Sequence, residues 1–130
     1  MNRITGFLII IFICIGVMPT SLAKEPCKCS ESPELTGECF VIRGRMALYN
    51  GSITCRIWIV GTKRMLGVRL MNGETYFDDP AFPDELKDVL NWDNAVYADF
   101  TVCPLADDKP GVMRPVCVKS VKNITVKKWP

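Results

Sequence analysis

Cysteine carries most of the chemistry open to this chain, which has seven cysteines and no histidine among its 130 residues. Without imidazole the commonest general base at neutral pH and the commonest nitrogen ligand for zinc are both missing. Cys14 sits inside an apolar N-terminal run, and Cys27, Cys29, Cys39, Cys55, Cys103 and Cys117 are spread over the rest. Two thiolates one residue apart, as in Cys27-x-Cys29, can hold a soft ion such as Cu(I) or act as a redox pair. No histidine or Met-rich segment stands beside them to complete such a site. Six thiols in an oxidising compartment point instead to disulfides.

A second group with chemical potential is basic and aromatic. Arg43, Arg45, Tyr49, Arg56, Trp58 and Arg69 fall on one phase of the first three predicted strands. Arginine pairs with phosphate or carboxylate through a planar fork, and tryptophan stacks on flat rings. The blander reading of the same side chains, and the commoner one, is packing surface, with the arginines paired to Asp78, Asp79, Asp84 or Asp88 and Trp58 covered by a loop or the N-terminal arm. Charge is segregated along the chain: Val41 to Leu70 holds six basic residues and no acidic one, whereas Met71 to Phe100 holds eight acidic residues and only Lys87 against them. The acidic group lacks the Gly and Asp/Asn spacing of a calcium loop. Nothing fixes the carboxylate separation that a glycosidase would need.

The first twenty-three residues have the order of an export leader. Arg3 gives the charged start, Phe7 to Met18 the apolar run, and Ser21-Leu22-Ala23 the small residues of a cleavage site. The run is too short to cross a bilayer as a helix, which takes about 20 residues. Residues 1–23 are therefore expected to be a signal peptide, and the protein to be exported, periplasmic or extracellular. Removing them leaves 107 residues with six cysteines, 15 basic and 14 acidic side chains. That is enough for one domain. A near-neutral balance disfavours a dedicated nucleic-acid protein.

Residues 24–38 are polar, contain Pro26 and Pro33 and show no period, so they form an extended arm. From Cys39 the apolar residues alternate: Phe40, Ile42, Met46 and Leu48 face in, with Gly44 on the same phase at a bend or bulge. Asn50-Gly51 predicts a type I′ hairpin turn. A second strand over 53–60 puts Ile53, Cys55, Ile57 and Ile59 inward. After a turn at Gly61-Thr62-Lys63, Met65 to Leu70 forms a third. Pro83, Asp84 and Glu85 suit the start of a short helix over 83–91, with Leu86, Val89 and Leu90 on its inner face. Val96 to Val102 is a fourth strand and Val116 to Val126 a fifth, with a slipped phase at Ser120-Val121 that predicts a bulge.

This order predicts a mainly β domain over 39–130: a small five-stranded OB-like Greek-key barrel with one short helix between strands three and four. A small antiparallel β-sandwich is the alternative. Cys103 ends one strand and Cys117 begins the next, so a bond between them is expected. Cys27, Cys29, Cys39 and Cys55 remain with three pairings, of which an arm cysteine to Cys39 asks least of the chain.

The runs Cys39 to Arg45, Tyr49-Asn50-Gly51, Arg56-Ile57-Trp58 and Gly61 to Val68, with Asp99 to Pro104, Gly111-Val112-Met113 and Val116-Cys117-Val118, resemble a group of small exported bacterial proteins of unknown function. The likeness spans about Cys39 to Val126. It implies export and a compact β domain, and it transfers no activity. The functional expectation is a non-enzymatic, disulfide-braced binding domain whose Arg43, Arg45, Tyr49, Arg56, Trp58 and Arg69 contact an anionic glycan, an envelope polymer or an acidic protein. Its rival is a small secreted hydrolase or a Cys27/Cys29 redox or metal-binding protein. No cofactor is implied.

Overall fold

In the computed structural model residues 28–129 are described. The leader, Cys14, residues 24–27 and thus Cys27 lie outside them. Five strands make up most of the described chain: β1 (Phe40–Leu48), β2 (Cys55–Ile59), β3 (Met65–Val68), β4 (Asn94–Pro104) and β5 (Arg114–Lys128). A single helical turn, α1 (Asp84–Lys87), lies between β3 and β4, and a 3-10 turn at Cys29–Glu31 sits in the arm. The protein is mainly β, one five-stranded mixed sheet with little helix.

The strands pair in the order β1-β2-β3-β5-β4, and β4 pairs back to β1, so the sheet closes on itself. Every neighbour is antiparallel except β3 and β5, which run parallel through Leu66↔Arg114 and Val68↔Val116. All five strands belong to one sheet, which rules out the two packed sheets of a sandwich. The alternation read from β1 holds: Met46 and Leu48 are buried while Val41 and Arg43 are exposed. Met46, Ile57, Leu66, Val96, Phe100 and Val116 pack into the interior, each 2% exposed or less. A Cβ on Gly44 would lie 2.4 Å from Ile57 Cγ2 and 3.3 Å from Phe100 Cδ2. Glycine at that inward position is thus required by the close approach of the core to the backbone.

Several local expectations are corrected. Asn50-Gly51 is not a two-residue type I′ turn: the connection runs from Tyr49 to Thr54, whose backbones are bonded at 2.7 Å, and positive φ falls on Gly51 and Ile53. Ile53 therefore leaves the strand that was expected to begin with it. The helix ends at Lys87 rather than Asn91, and beyond it the Leu86 carbonyl accepts from both Val89 N–H (3.3 Å) and Leu90 N–H (2.8 Å). Its inner face is placed as read, with Leu86 and Leu90 buried in the core. β5 shows two irregularities rather than one, which flank the predicted slip: the pairing jumps between Tyr97 and Asp99 and again between Thr101 and Val102. Asn123, at φ 56°, absorbs the first.

The expected Cys103–Cys117 bond is not formed. These two residues do face each other across β4 and β5, but each is bonded elsewhere: Cys117 to Cys29 in the arm, and Cys103 to Cys39, the residue just before β1. Adjacency in the sheet was legible in the strand order. The choice of partner was not, because the arm and the residue that leads from it into β1 pass the same point and bring two more sulfurs to it. Cys55 is also not bridged; it is a buried free thiol inside the main core. A smaller second core of Cys29, Cys103, Leu105 and Cys117, with Leu35, Cys39 and Met71 against it, seats the arm.

Candidate functional site

The register of the sheet assembles most of the predicted basic and aromatic residues. Arg45 lies between Trp58 on β2 and Tyr97 on β4, so its guanidinium stands over the outer surface of the sheet. Trp58 covers one side at 4.7 Å, and the C-terminal Trp129 stacks at 4.6 Å. Tyr49 meets the Trp129 ring edge-on at 5.7 Å, and Arg56 lies 4.9 Å over Tyr49. Lys127 stands 5.2 Å over Tyr97. Each such contact contributes roughly 0.5–1 kcal/mol at an exposed site. Ala47 and Ala95 share this outward phase yet are buried, which marks the end of the face near Trp129 as covered.

The arginines are largely engaged within the protein. Arg56 donates to Ile53 O at 2.9 Å and Ser52 O at 3.3 Å. Arg43 donates to Asp99 and to Asn123 O. Arg45 Nε is buried with no hydrogen-bond partner among the described residues. Burial works against the charge on Arg45, but the Tyr49 and Tyr97 hydroxyls favour it, and its pKa is raised. The Arg43 and Asn123 contacts help to hold the Asp99 carboxyl below its usual range, the Asn123 amide foremost. Trp58 is half-buried and donates its indole N–H to Thr62 O at 2.7 Å.

The pairing expected with Asp78, Asp79, Asp84 or Asp88 does not occur among the described ion pairs. Arg43 pairs with Asp99, Arg64 with Asp108, Arg69 with Glu34 at 4.0 Å, and Asp84 with Lys87. The acidic stretch has other work. Asp79, only 2% exposed, accepts backbone N–H groups from Met71 (2.7 Å), Asn72 (3.2 Å) and Ala81 (2.9 Å). Asp78 and Thr75 exchange side-chain to backbone bonds. Those two aspartates fix a connection, and they are not gathered as calcium ligands.

Arg69 falls away from the other five predicted residues. It lies on the rim of a cleft of about 480 Å3 bounded by the β1–β2 connection, the end of β3 and the braced segment from Leu70 to Phe77. Leu48, Ile53, Val68 and Tyr76 line it, and Leu70, Phe77 and Trp92 stand 38%, 46% and 56% exposed beside it. The Tyr76 hydroxyl donates to Val68 O at 2.7 Å and accepts from Cys55 N at 3.4 Å, which pins the cleft wall to the ends of two strands. Burial is the main cause of the raised Tyr76 pKa, and burial alone pushes the Cys55 thiol far above its ordinary range. Cys55 is therefore a packing residue.

Sequence reading missed Tyr97, Lys127 and Trp129 on the sheet face and Phe77 and Trp92 at the cleft. The two-residue period continued past Val126 would have extended β5 and carried Lys127 and Trp129 into reach. Nothing in the spacing signals the cleft. The Cys27/Cys29 redox or metal pair loses one member, since Cys29 is spent in the bond to Cys117. Comparisons with protein-family models, curated proteins and solved structures return no match.

Proposed function

We propose that this is an exported, OB-like binding domain that uses the outer face of β2, β1, β4 and β5 to hold an anionic polymer such as an acidic glycan. The observation that carries the reading is the charge of that face. Arg56, Arg43, Arg45, Lys122 and Lys127 fall on it by register, against the single carboxylate of Asp99. Strands stand about 4.8 Å apart, and outward residues recur about every 6.8 Å along each. A repeating anion can thus meet several cations at once, while the Trp58 and Tyr97 rings offer flat surface to sugar carbons. Closed strand order and the helical turn between β3 and β4 support the OB-like assignment, a fold whose outer surface and loops bind oligosaccharides. Paired cysteines are what export into an oxidising compartment would produce.

The test is retention of the mature protein on immobilised polygalacturonate at low salt. Lys122→Ala with Lys127→Ala removes two exposed charges without touching the Arg45 stack, and it should weaken retention at least tenfold. Binding should also fade as salt rises toward 1 M, where screening falls to about 3 Å. Unchanged retention in the double variant would end this reading of the face.

A second reading is favoured by the cleft. A segment braced through Asp79 and Tyr76 holds Phe77 in water beside Trp92, and an exposed apolar patch around a concavity is the usual form of a ligand site. A ligand with an apolar face suits it, with Arg69 and Glu74 as the charged groups on the lining.

A further inference from the structure

The two disulfides come together at one point of the sheet. The sulfur atoms of Cys29, Cys103 and Cys117 all lie within 4.8 Å of one another, although Cys103 is bonded to Cys39 and only Cys29 and Cys117 share a bond. Cys103 and Cys117 are also direct partners in the β4–β5 register. The resting structure therefore holds a third pairing in reach, one that needs no strand to move to another neighbour. Access differs among the four residues. Cys103 is fully buried and Cys29 and Cys117 are 2% exposed, whereas Cys39 is only partly covered.

From this arrangement we infer a thiol–disulfide relay that unfastens the N-terminal arm when a small dithiol reductant is supplied. The reductant's thiolate attacks the accessible Cys39 sulfur, forming a mixed disulfide and expelling Cys103 as thiolate. Exchange proceeds by this kind of attack, and the sulfur that is reached decides which thiol leaves. The Cys103 thiolate then attacks the Cys117 sulfur, forming Cys103–Cys117 and expelling Cys29 as thiolate, which takes up a proton. The reductant's second thiol displaces Cys39 and closes the oxidised dithiol. Two electrons pass from the dithiol to the protein: two protein disulfides become one, and Cys29 and Cys39 end as thiols.

The product keeps every strand pairing, because its one bond lies inside the sheet. What it loses is the arm. Of the bonds that tie residues 28–38 to the body, the described ones besides sulfur are Thr36 N–H to Pro104 O at 3.1 Å and the long Arg69–Glu34 pair. Release would uncover Leu105 and Met71 of the second core. The end state is thus a stapled barrel with a free arm and a new apolar surface, set by the thiol balance of its surroundings.

The test is limited reduction of the mature protein in a Cys27→Ser background with substoichiometric dithiothreitol, followed by acid quench, alkylation and digestion without reductant. The one-disulfide species should carry Cys103–Cys117, with Cys29 and Cys39 both alkylated. Amide exchange over residues 28–38 should rise at least tenfold while that of β4 and β5 stays low. Survival of Cys29–Cys117 or Cys39–Cys103 in the one-disulfide species would overturn the relay, and so would passage to the fully reduced protein with no one-disulfide species. A second measurement stands apart from reduction. Cys29→Ser with Cys39→Ser, purified without reductant, should contain Cys103–Cys117 and keep its far-ultraviolet spectrum, and free thiols at both positions would count against the proposal.

Discussion

The N-terminal arm and the connection from Arg69 to Pro83 are both irregular segments laid against the same closed sheet, and they are fixed by different chemistry. The arm is tied to the sheet by the Cys29–Cys117 disulfide, with Cys39–Cys103 fixing its exit into β1, and beyond these by a few apolar contacts and one backbone hydrogen bond. The connection has no covalent tie; a buried carboxylate gathers three of its amides and a tyrosine hydroxyl bridges two strand ends. A covalent tie holds in any salt or pH but yields to a reductant. A carboxylate brace ignores reductant and depends on its hydrogen bonds and burial. The two segments can therefore be loosened one at a time, and their surroundings decide which.

Removing the covalent ties should have the largest effect. Cys29→Ser with Cys117→Ser opens a connection between residues 88 apart, and Cys39→Ser with Cys103→Ser one between residues 64 apart. Each double variant should lose about 2–5 kcal/mol of unfolding free energy by urea titration, because long closed loops restrict the unfolded chain most. A loss below about 1 kcal/mol would mean that the arm is held by its apolar contacts. The difference between the segments would then be one of degree.

Asp79→Ala should come next. It leaves three amides without their acceptor, and since water can reach part of the opened segment the cost should be about 2–3 kcal/mol rather than the full penalty for each. The sharper signature is local: amide exchange at Met71, Asn72 and Ala81 should rise while that of the arm does not change. Equal loosening of the arm would erase the distinction.

Asp99 gives the smallest effect and lies outside both segments. Its folded pKa is depressed by Asn123 and Arg43. The stabilisation this represents is present above the unfolded value of about 3.9 and is lost as pH falls through the lower folded value. Water reaches its side chain and salt screens the charge, so Asp99→Asn should narrow the difference in urea midpoint between pH 6 and pH 2.5 only slightly. A large change there would mean that electrostatics on the sheet face, rather than either fastening, governs acid stability.

Much of the sheet was legible because its signals are local. Period-two alternation placed Met46, Leu48, Ile57 and Val96 inward, and Pro83 followed by two acids marked a helical turn. What escaped depends on approach between distant segments. Asp79 reads as one more acid in an acidic stretch until the fold carries it under its own amides. The cation–aromatic stack was half legible, since Arg45 and Trp58 share a phase on neighbouring strands, but Trp129 joins them only through the length of β5. Cysteine pairing was least legible: alternation brought Cys103 opposite Cys117, and no pattern in the arm says that it crosses there.

The parallel contact between β3 and β5 has a consequence for timing. A chain made from its N-terminus presents Cys29, Cys39 and Cys55 long before Cys117, and the ring cannot close until Arg114 to Val116 reach β3. In that interval Cys55, later sealed in the core, is open to its two neighbours. The nearest partners in time are thus the wrong ones in space, and the final nested connectivity is reached last, once the end of the chain has arrived to sort them.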